Sequence, residues 1–397
     1  MTFLFNTCYL STVYYTFLGI STPHPKSTFI TPLPTSQICY NITMRVNENI
    51  LISSLTTMRL GGPARYVLEI ERPEDIPDAY GFAATYQMPT FVLGYGANTI
   101  GHDEGFPGAI LINRMRGITS EPIGNDTRLR IMGGEIWDDV VAYACEKGLT
   151  GIEGLSKIPG LAGAAPVQNI GAYGQEISDT LESIDVYDTV SRTFRTLTHA
   201  ELSFSYRQSI LNTSAYGRYF VISINLILHP GQMSRPFYRS IEKYISDNNI
   251  KDYSPASIRT IVSTIRANKL PDPAQYASAG SFFKNIFVDE AGAEACEAKG
   301  YPVHRTPSGG KLNSGWLIEH AGLSGKIIHG MRVSPTAALV LINESAKSYS
   351  DLAAARDEII SKIYDEYGFW LEQEPVELTM STATPPPPSF PVNGAVI

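Results

Sequence analysis

Cysteine is scarce in this 397-residue chain, and the few copies are scattered. Cys8, Cys39, Cys145 and Cys296 lie far apart and form no C-x-x-C. That excludes a disulfide scaffold and leaves no thiolate pattern for zinc. The seven histidines form no H-x-x-x-H pair, so the commonest helical metal pattern is missing too and no metal is expected. Positive charge is also in short supply, with 31 Lys and Arg against 39 Asp and Glu and a net charge of -8. A surface that wraps nucleic acid needs clustered cations, so no nucleic-acid partner is expected. A small anion held by a few local donors stays open. Phe3–Ile20 leans apolar, but Asn6, Thr7, Ser11, Thr12 and Thr16 interrupt it and no basic stretch precedes it. Neither a membrane span nor a signal peptide is expected there. With 43% hydrophobic and 18% charged residues, the chain has ample core for two or three globular domains.

The first 43 residues hold one lysine, Lys26, and no other charged residue except the titratable His24. Residues 1–43 are read as a disordered extension, or as sequence upstream of a start at Met44. Residues 379–397, with the run Pro385–Pro388, are read as a flexible Pro-rich tail. Between them strands and helices alternate. Tyr66–Ile70, Thr90–Leu93, Ala109–Asn113, Arg128–Met132, Leu181–Tyr187, Thr193–Leu197 and Phe220–Leu228 have the pattern of strands. Pro73–Met88, Glu135–Lys147, Pro236–Ser246 and Ser257–Ala267 read as helices. Ser350–Tyr367 is the clearest helix, because Leu352, Ala355, Ile359, Ile363 and Tyr367 fall on one face. A mixed α/β or α+β architecture follows. No heptad run or long apolar stripe suggests assembly, so a monomer is expected.

Common nucleotide motifs fail. Gly94-Tyr-Gly-Ala-Asn-Thr99 starts like G-x-G-x-x-G but lacks the third glycine and opens no clear helix, which argues against a Rossmann site. There is no G-x-x-x-x-G-K-[ST] and no G-x-S-x-G. One segment stands out. Ile158–Gly174 contains Gly160, Gly163, Gly171, Gly174, Ala162, Ala164 and Ala165, and carries no charge. Bare backbone lets a flat or phosphorylated ligand reach the main-chain N–H groups. The same composition also suits a tight loop packed under another element. The Gln168-Asn169 pair, with its amide donors and acceptors, favours a site.

Seven stretches then occur in a specific order: Leu93–Asn98, Ile158–Gly174, Phe204–Ser209, Lys269–Pro273, Gly280–Asn285, Gly315–Glu319 and Trp370–Glu374. Together they resemble the UDP-N-acetylenolpyruvoylglucosamine reductase family, over about Ile50 to Glu377. The resemblance implies an α+β fold: a FAD-binding part of the vanillyl-alcohol-oxidase (PCMH) type in two subdomains, plus a C-terminal α/β substrate-binding domain. The expected divisions are 44–113, 114–262 and 263–378. It implies FAD and NADPH, a UDP-sugar substrate, a cytoplasmic setting and a step in peptidoglycan precursor synthesis. In that chemistry a hydride passes from flavin N5 to C3 of the enol ether, and the enolate left at C2 is protonated.

By the same resemblance the catalytic residues are Arg207, Ser281 and Glu374. A guanidinium is a permanent charge for the enolate oxygen. A positioned serine can protonate so strong a base. Glu374 would act near the substrate carboxylate or in proton delivery, with Glu372 two residues away as a rival. The cofactor cradle is assigned to Gly94, Tyr95, Gly96, Ala97 and Asn98, and to Pro159, Gly160, Gly163, Ala164, Ala165, Gln168, Asn169, Gly171, Ala172 and Tyr173. Substrate binding is assigned to Tyr238, Lys269 and Asn285. Each polar residue also has an ordinary reading: a salt bridge for Arg207, a turn cap for Ser281, helix-dipole pairing for Lys269. Gln208, Ile286 and Ala337 depart from the common family pattern. Other functions compatible with the residues are a sugar or alcohol oxidase of the same flavin fold, and a non-catalytic flavin-binding protein.

Overall fold

A computed structural model describes residues 44–384; the expectations for residues 1–43 and for the Pro385–Pro388 run lie outside them. All described residues belong to one compact unit.

The first layer is a four-stranded sheet ordered Arg45–Leu51, Pro63–Ile70, Phe106–Asn113, Thr90–Leu93. The outer pair of 45–51 with 63–70 is antiparallel and the other two pairings are parallel. Parallel neighbours need a crossover, and the helix Asp75–Thr85 supplies one. This helix is shorter than the pattern 73–88 suggested. It begins where Asp75 accepts the Glu71 and Arg72 amides, and it ends before Gln87, whose φ is +50°. Strand alternation sends side chains to both faces. Leu68, Ile70 and Leu111 pack under the helix, while Val67, Ile110 and Ile112 pack on the other face with Phe91, Leu93, Leu378 and Ala383.

The second layer is antiparallel, in the order Thr193–Thr198, Leu181–Asp188, Tyr219–Pro230, Asp126–Met132, Ile118–Ile123. Its inner face presents Ile184, Val186, Ile224, Leu226, Leu129 and Ile131 to the helix Trp137–Glu146. Its outer face is charged, where Arg128 meets Glu182 and Arg130 meets Asp185. One apolar and one ionic face is the usual outcome for a half-solvated antiparallel sheet. Trp137 is fully buried and donates its indole N–H to Leu155 O at 3.1 Å. That bond fixes the helix start beneath the glycine-rich segment.

The third part packs strands Ser278–Ser281, Val340–Asn343, Met331–Val333 and Ile327–Ile328 against the helix Tyr349–Tyr367. This helix closely matches its sequence pattern. Leu352, Ala355, Ile359 and Ile363 are buried, Ser348 and Asp351 form a capping box, and Gly368 ends it in the left-handed conformation. The short helix Ser314–His320 and the three-stranded sheet 286–288, 309–312, 303–306 complete this part. Ile286 pairs with Leu312 in the ladder of that sheet.

The chain end differs from the expected flexible tail over its first six residues. Thr384 exchanges both backbone hydrogen bonds with Thr90, at 2.8 and 2.9 Å, and Ala383 is buried. The serine- and threonine-rich composition concealed a strand-like pairing that only the exposed edge of 90–93 makes available.

Candidate active site

The segment Ile158–Gly174 folds as a packed loop that also lines a cavity. Gly160 O accepts from Trp137 N, Ala162 N donates to Glu135 O, and Gly163 N donates to Gly133 O at 2.9 Å. A Cβ on Gly163 would sit 3.1 Å from Gly133 Cα, and one on Gly94 would sit 3.1 Å from Ala164 Cβ. Those two glycines therefore permit close approach of backbone segments. Gly160 is different, since a Cβ there would meet nothing within 4 Å. Its bare backbone faces open space.

That space is a cavity of about 250 Å³ lined by Gly94, Tyr95, Gly96, Ala97, Asn98, Pro159, Gly160, Gly163, Ala164, Ala165 and Gln168. Every one of these came from the two loops singled out in the sequence. Gly96 (φ +73°) turns the first loop so tightly that a Cβ would fall 2.1 Å from Leu55 O. Asn98 donates to Gln168 Oε1 at 2.6 Å and ties the loops together. Among the described residues, no charged side chain lines this cavity, so an elongated ligand there would be held by amides and apolar contact.

A second cavity of about 520 Å³ adjoins it, sharing Ala97, Asn98, Ile158, Pro159, Gln168 and Ile170. Arg207, Ser281 and Glu374 all line this second space, with Gly171, Ala172 and Gly280. Three stretches distant in sequence thus converge. The cause is a short antiparallel pairing. Glu374 N donates to Phe282 O, Phe283 faces Gln373, and Lys284 N donates to Glu372 O. This register sets Glu374 beside the strand end that carries Ser281. Gly280 (φ +71°) sits where the strand register shifts between Ser278 and Ser281, and its missing side chain leaves open space. Ser281 is exposed to the cavity.

Arg207 reaches the site from an unusual backbone, with φ +56°. A non-glycine residue held there costs on the order of 1–3 kcal/mol and needs support. Asn212 donates to its carbonyl, and Ser205 and Gln208 close the turn through reciprocal backbone bonds. Gln208 thus serves this turn through its backbone. The guanidinium donates to Glu374 Oε1 at 3.1 Å and to Gly171 O at 3.2 Å, and stacks 5.1 Å above the Tyr206 ring. The rival glutamates separate clearly. Glu372 is 70% exposed and pairs with Lys284, whereas Glu374 is 11% exposed against Arg207. Burial pushes the Glu374 carboxyl up, against the opposing pull of Arg207.

Other expected residues lie elsewhere. Asn169 is buried and holds the loop together, donating to Glu176 and to Ser205 O and accepting from Ser178 N. Tyr173 stands edge-on to the exposed Tyr238 at 5.7 Å, and neither lines the two cavities. Asn285 donates to Tyr206 Oη at 3.4 Å and accepts from Ser314 N, so it braces the neighbour of Arg207. Lys269 is exposed at the end of the helix Pro255–Lys269 and outside the lining. One turn earlier, Arg266 does line the larger cavity. Burial lowers its pKa, with the Tyr173 hydroxyl beside it opposing that shift. No motif singles out Arg266, although its position in the helix carries a signal. It lies four residues after Val262 and eight after Ile258, on the buried stripe of the helix, where an arginine is unexpected.

A family model described as a FAD binding domain matches residues 64–196, and one described as UDP-N-acetylenolpyruvoylglucosamine reductase, C-terminal domain, matches 272–378. The reductase of that name from Vibrio parahaemolyticus is 33% identical over 336 residues, 83% of this chain and 94% of its own length. The chain belongs to the UDP-N-acetylenolpyruvoylglucosamine reductase family. The reductase from Xanthomonas campestris pv. campestris (strain B100) is likewise 33% identical, over 83% of this chain and 95% of its own. A crystal structure of the Thermus caldophilus reductase superposes with a TM-score of 0.59 at 24% identity, covering 84% of this chain and 99% of that one. This family fold accounts for the two FAD-binding layers and the C-terminal part. The uncharged, glycine-lined cavity is lined largely by the matched FAD-binding segment, with residues from 211–221 and 376–384 completing it, and its bare backbone suits that cofactor. Among the described residues, no helix is long and apolar enough to cross a membrane, and no cluster of His, Cys, Asp or Glu is arranged to hold a metal.

Proposed function

We propose that this protein reduces UDP-N-acetylenolpyruvoylglucosamine to UDP-N-acetylmuramate with electrons from NADPH, as a step in peptidoglycan precursor synthesis. The convergence of Arg207, Ser281 and Glu374 on a cavity that adjoins the glycine-lined cradle carries this reading. FAD held by Gly94–Asn98 and Pro159–Gln168 would supply a hydride for C3 of the enol ether. The chain itself must then stabilise charge beside a carboxylate and deliver a proton to C2.

Arg207 is suited to the first task. Its charge is permanent, its Nε is committed to Glu374, and its turn is braced from two sides. Ser281 is suited to the second, as a hydroxyl beside the irregular Gly280 position of its strand, at the cavity wall. Glu374 orients Arg207 and, with its raised pKa, can hold a proton near the site. Arg266, in place of Lys269, supplies the further cation that an anionic UDP-sugar or NADPH needs. Tyr238 remains outside the cavity and is assigned no contact.

An absorbance scan tests the proposal. Purified protein should show oxidised flavin, lose that band with NADPH in the absence of air, and regain it when the UDP-enolpyruvyl substrate is added. A band that NADPH does not bleach, or that the substrate does not restore, rejects it.

A further inference from the structure

We propose that residues 379–384 form a strap that belongs to the FAD site and retains the cofactor from the end remote from Arg207 and Glu374. The inference rests on the FAD reading of the glycine-lined cavity and concerns residues beyond both matched segments, 64–196 and 272–378. Four observations carry it.

Thr382 and Thr384 line the smaller cavity and not the larger one, so they face the ligand away from the reacting groups. The strap is built rather than draped. Val376–Leu378 first pairs in parallel with Thr99–Gly101. The chain then turns where Thr382 Oγ1 donates to Glu377 O at 2.6 Å and accepts from Thr379 N. Thr384 next joins the free edge of Thr90–Leu93 through its two backbone bonds, with Ala383 buried against that sheet. The opposite rim reaches across to meet it. Tyr216 donates its hydroxyl to Thr382 O at 2.8 Å, and Thr384 Oγ1 donates to Gly217 O. Gly217 is shaped for this contact, with φ +70° and a position where a Cβ would fall 2.0 Å from Thr384 Oγ1. Tyr216 and Gly217 line the same cavity. The strap and this rim therefore close one wall across the mouth, and a ligand leaving by that side must part them.

The test compares FAD dissociation from the full chain, from a chain ending at Thr384 and from one ending at Leu378, followed by flavin fluorescence as free FAD appears. The Thr384 end removes only the Pro-rich tail and should release FAD at the full-chain rate. The Leu378 end should release it at least about tenfold faster, and its melting temperature should rise less on FAD addition. Equal release from both shortened chains overturns the proposal while leaving FAD binding itself intact. Should the Leu378 form fail to fold by circular dichroism, Tyr216→Phe and Gly217→Ala decide the matter in the full chain. Faster release supports the strap, and unchanged release in both rejects it. A full chain that takes up no FAD would sink the FAD reading and this inference with it.

Discussion

Removing Arg207 leaves Glu374 as a largely buried carboxylate without its guanidinium, and the cost can be worked from the structure. The pair meets at 3.1 Å, with Arg207 20% and Glu374 11% exposed. Two unit charges about 4 Å apart at an effective dielectric of about 20 attract by about 4 kcal/mol. Partial exposure and desolvation reduce this, so a coupling of about 1–2 kcal/mol is expected between Arg207→Ala and Glu374→Gln. The pH dependence has a definite sign. Burial raises the Glu374 pKa and Arg207 opposes the rise. A carboxyl with a raised folded-state pKa contributes stability that is fully present below its unfolded pKa and is lost as the pH climbs through the folded one. Without Arg207 that loss should deepen and extend to higher pH, and Glu374→Gln should abolish it in either background. Urea unfolding of the four FAD-loaded proteins between about pH 4 and about pH 8 measures both quantities. Additivity within about 0.3 kcal/mol, or pH profiles that Arg207→Ala leaves unmoved, would refute the pair as an energetic unit.

Further outcomes are expected from single substitutions. Ser281→Ala should keep the reduction of flavin by NADPH but slow product formation by at least about a hundredfold, as stopped-flow measurement of the two half-reactions would reveal; two unaffected half-reactions would remove Ser281 from the chemistry. Arg266→Gln should raise KM for the UDP-sugar or for NADPH about 10–100-fold, the value of a lost charge-assisted hydrogen bond, while Lys269→Gln should change it less than about threefold. Asp138 accepts two bonds from Arg259 and two from Lys157, whose backbone turns at φ +60° just before the cradle. Burial works against ionisation there, but these partners hold its carboxyl well below the usual range. Its stability contribution is present above the ordinary Asp pKa and fades as the pH falls, so Asp138→Asn should cost about 1.5–3 kcal/mol near neutrality and progressively less in acid, as read by thermal unfolding.

Much of the fold was legible because the signals were local. The helix Tyr349–Tyr367 announced itself through one apolar face, and the pattern over Ser257–Ala267 lies within the helix Pro255–Lys269, whose start at the Ser254 cap it did not reach. The glycine loops also gave themselves away, since little except ligand or close backbone explains a long uncharged run of Gly and Ala. The short strands and turns of the C-terminal part were not legible, because two to four residues carry no period to read. Asn169 and Tyr173 show the limit within the cradle itself, since composition marked the loop but not which side of it each residue would face.

By itself the chain determined its element types, its lack of metal-binding patterns and the ordered motifs that carry the family likeness. Tertiary structure alone decided the rest of the site. The pairing of 282–284 with 372–374 chose Glu374 over Glu372, helix packing turned Arg266 inward and left Lys269 outside, and the free edge at Thr90 captured Thr384. The physical reason is common to all three. Burial and long-range hydrogen bonding depend on what lies across the fold, and no window of neighbouring residues contains that partner.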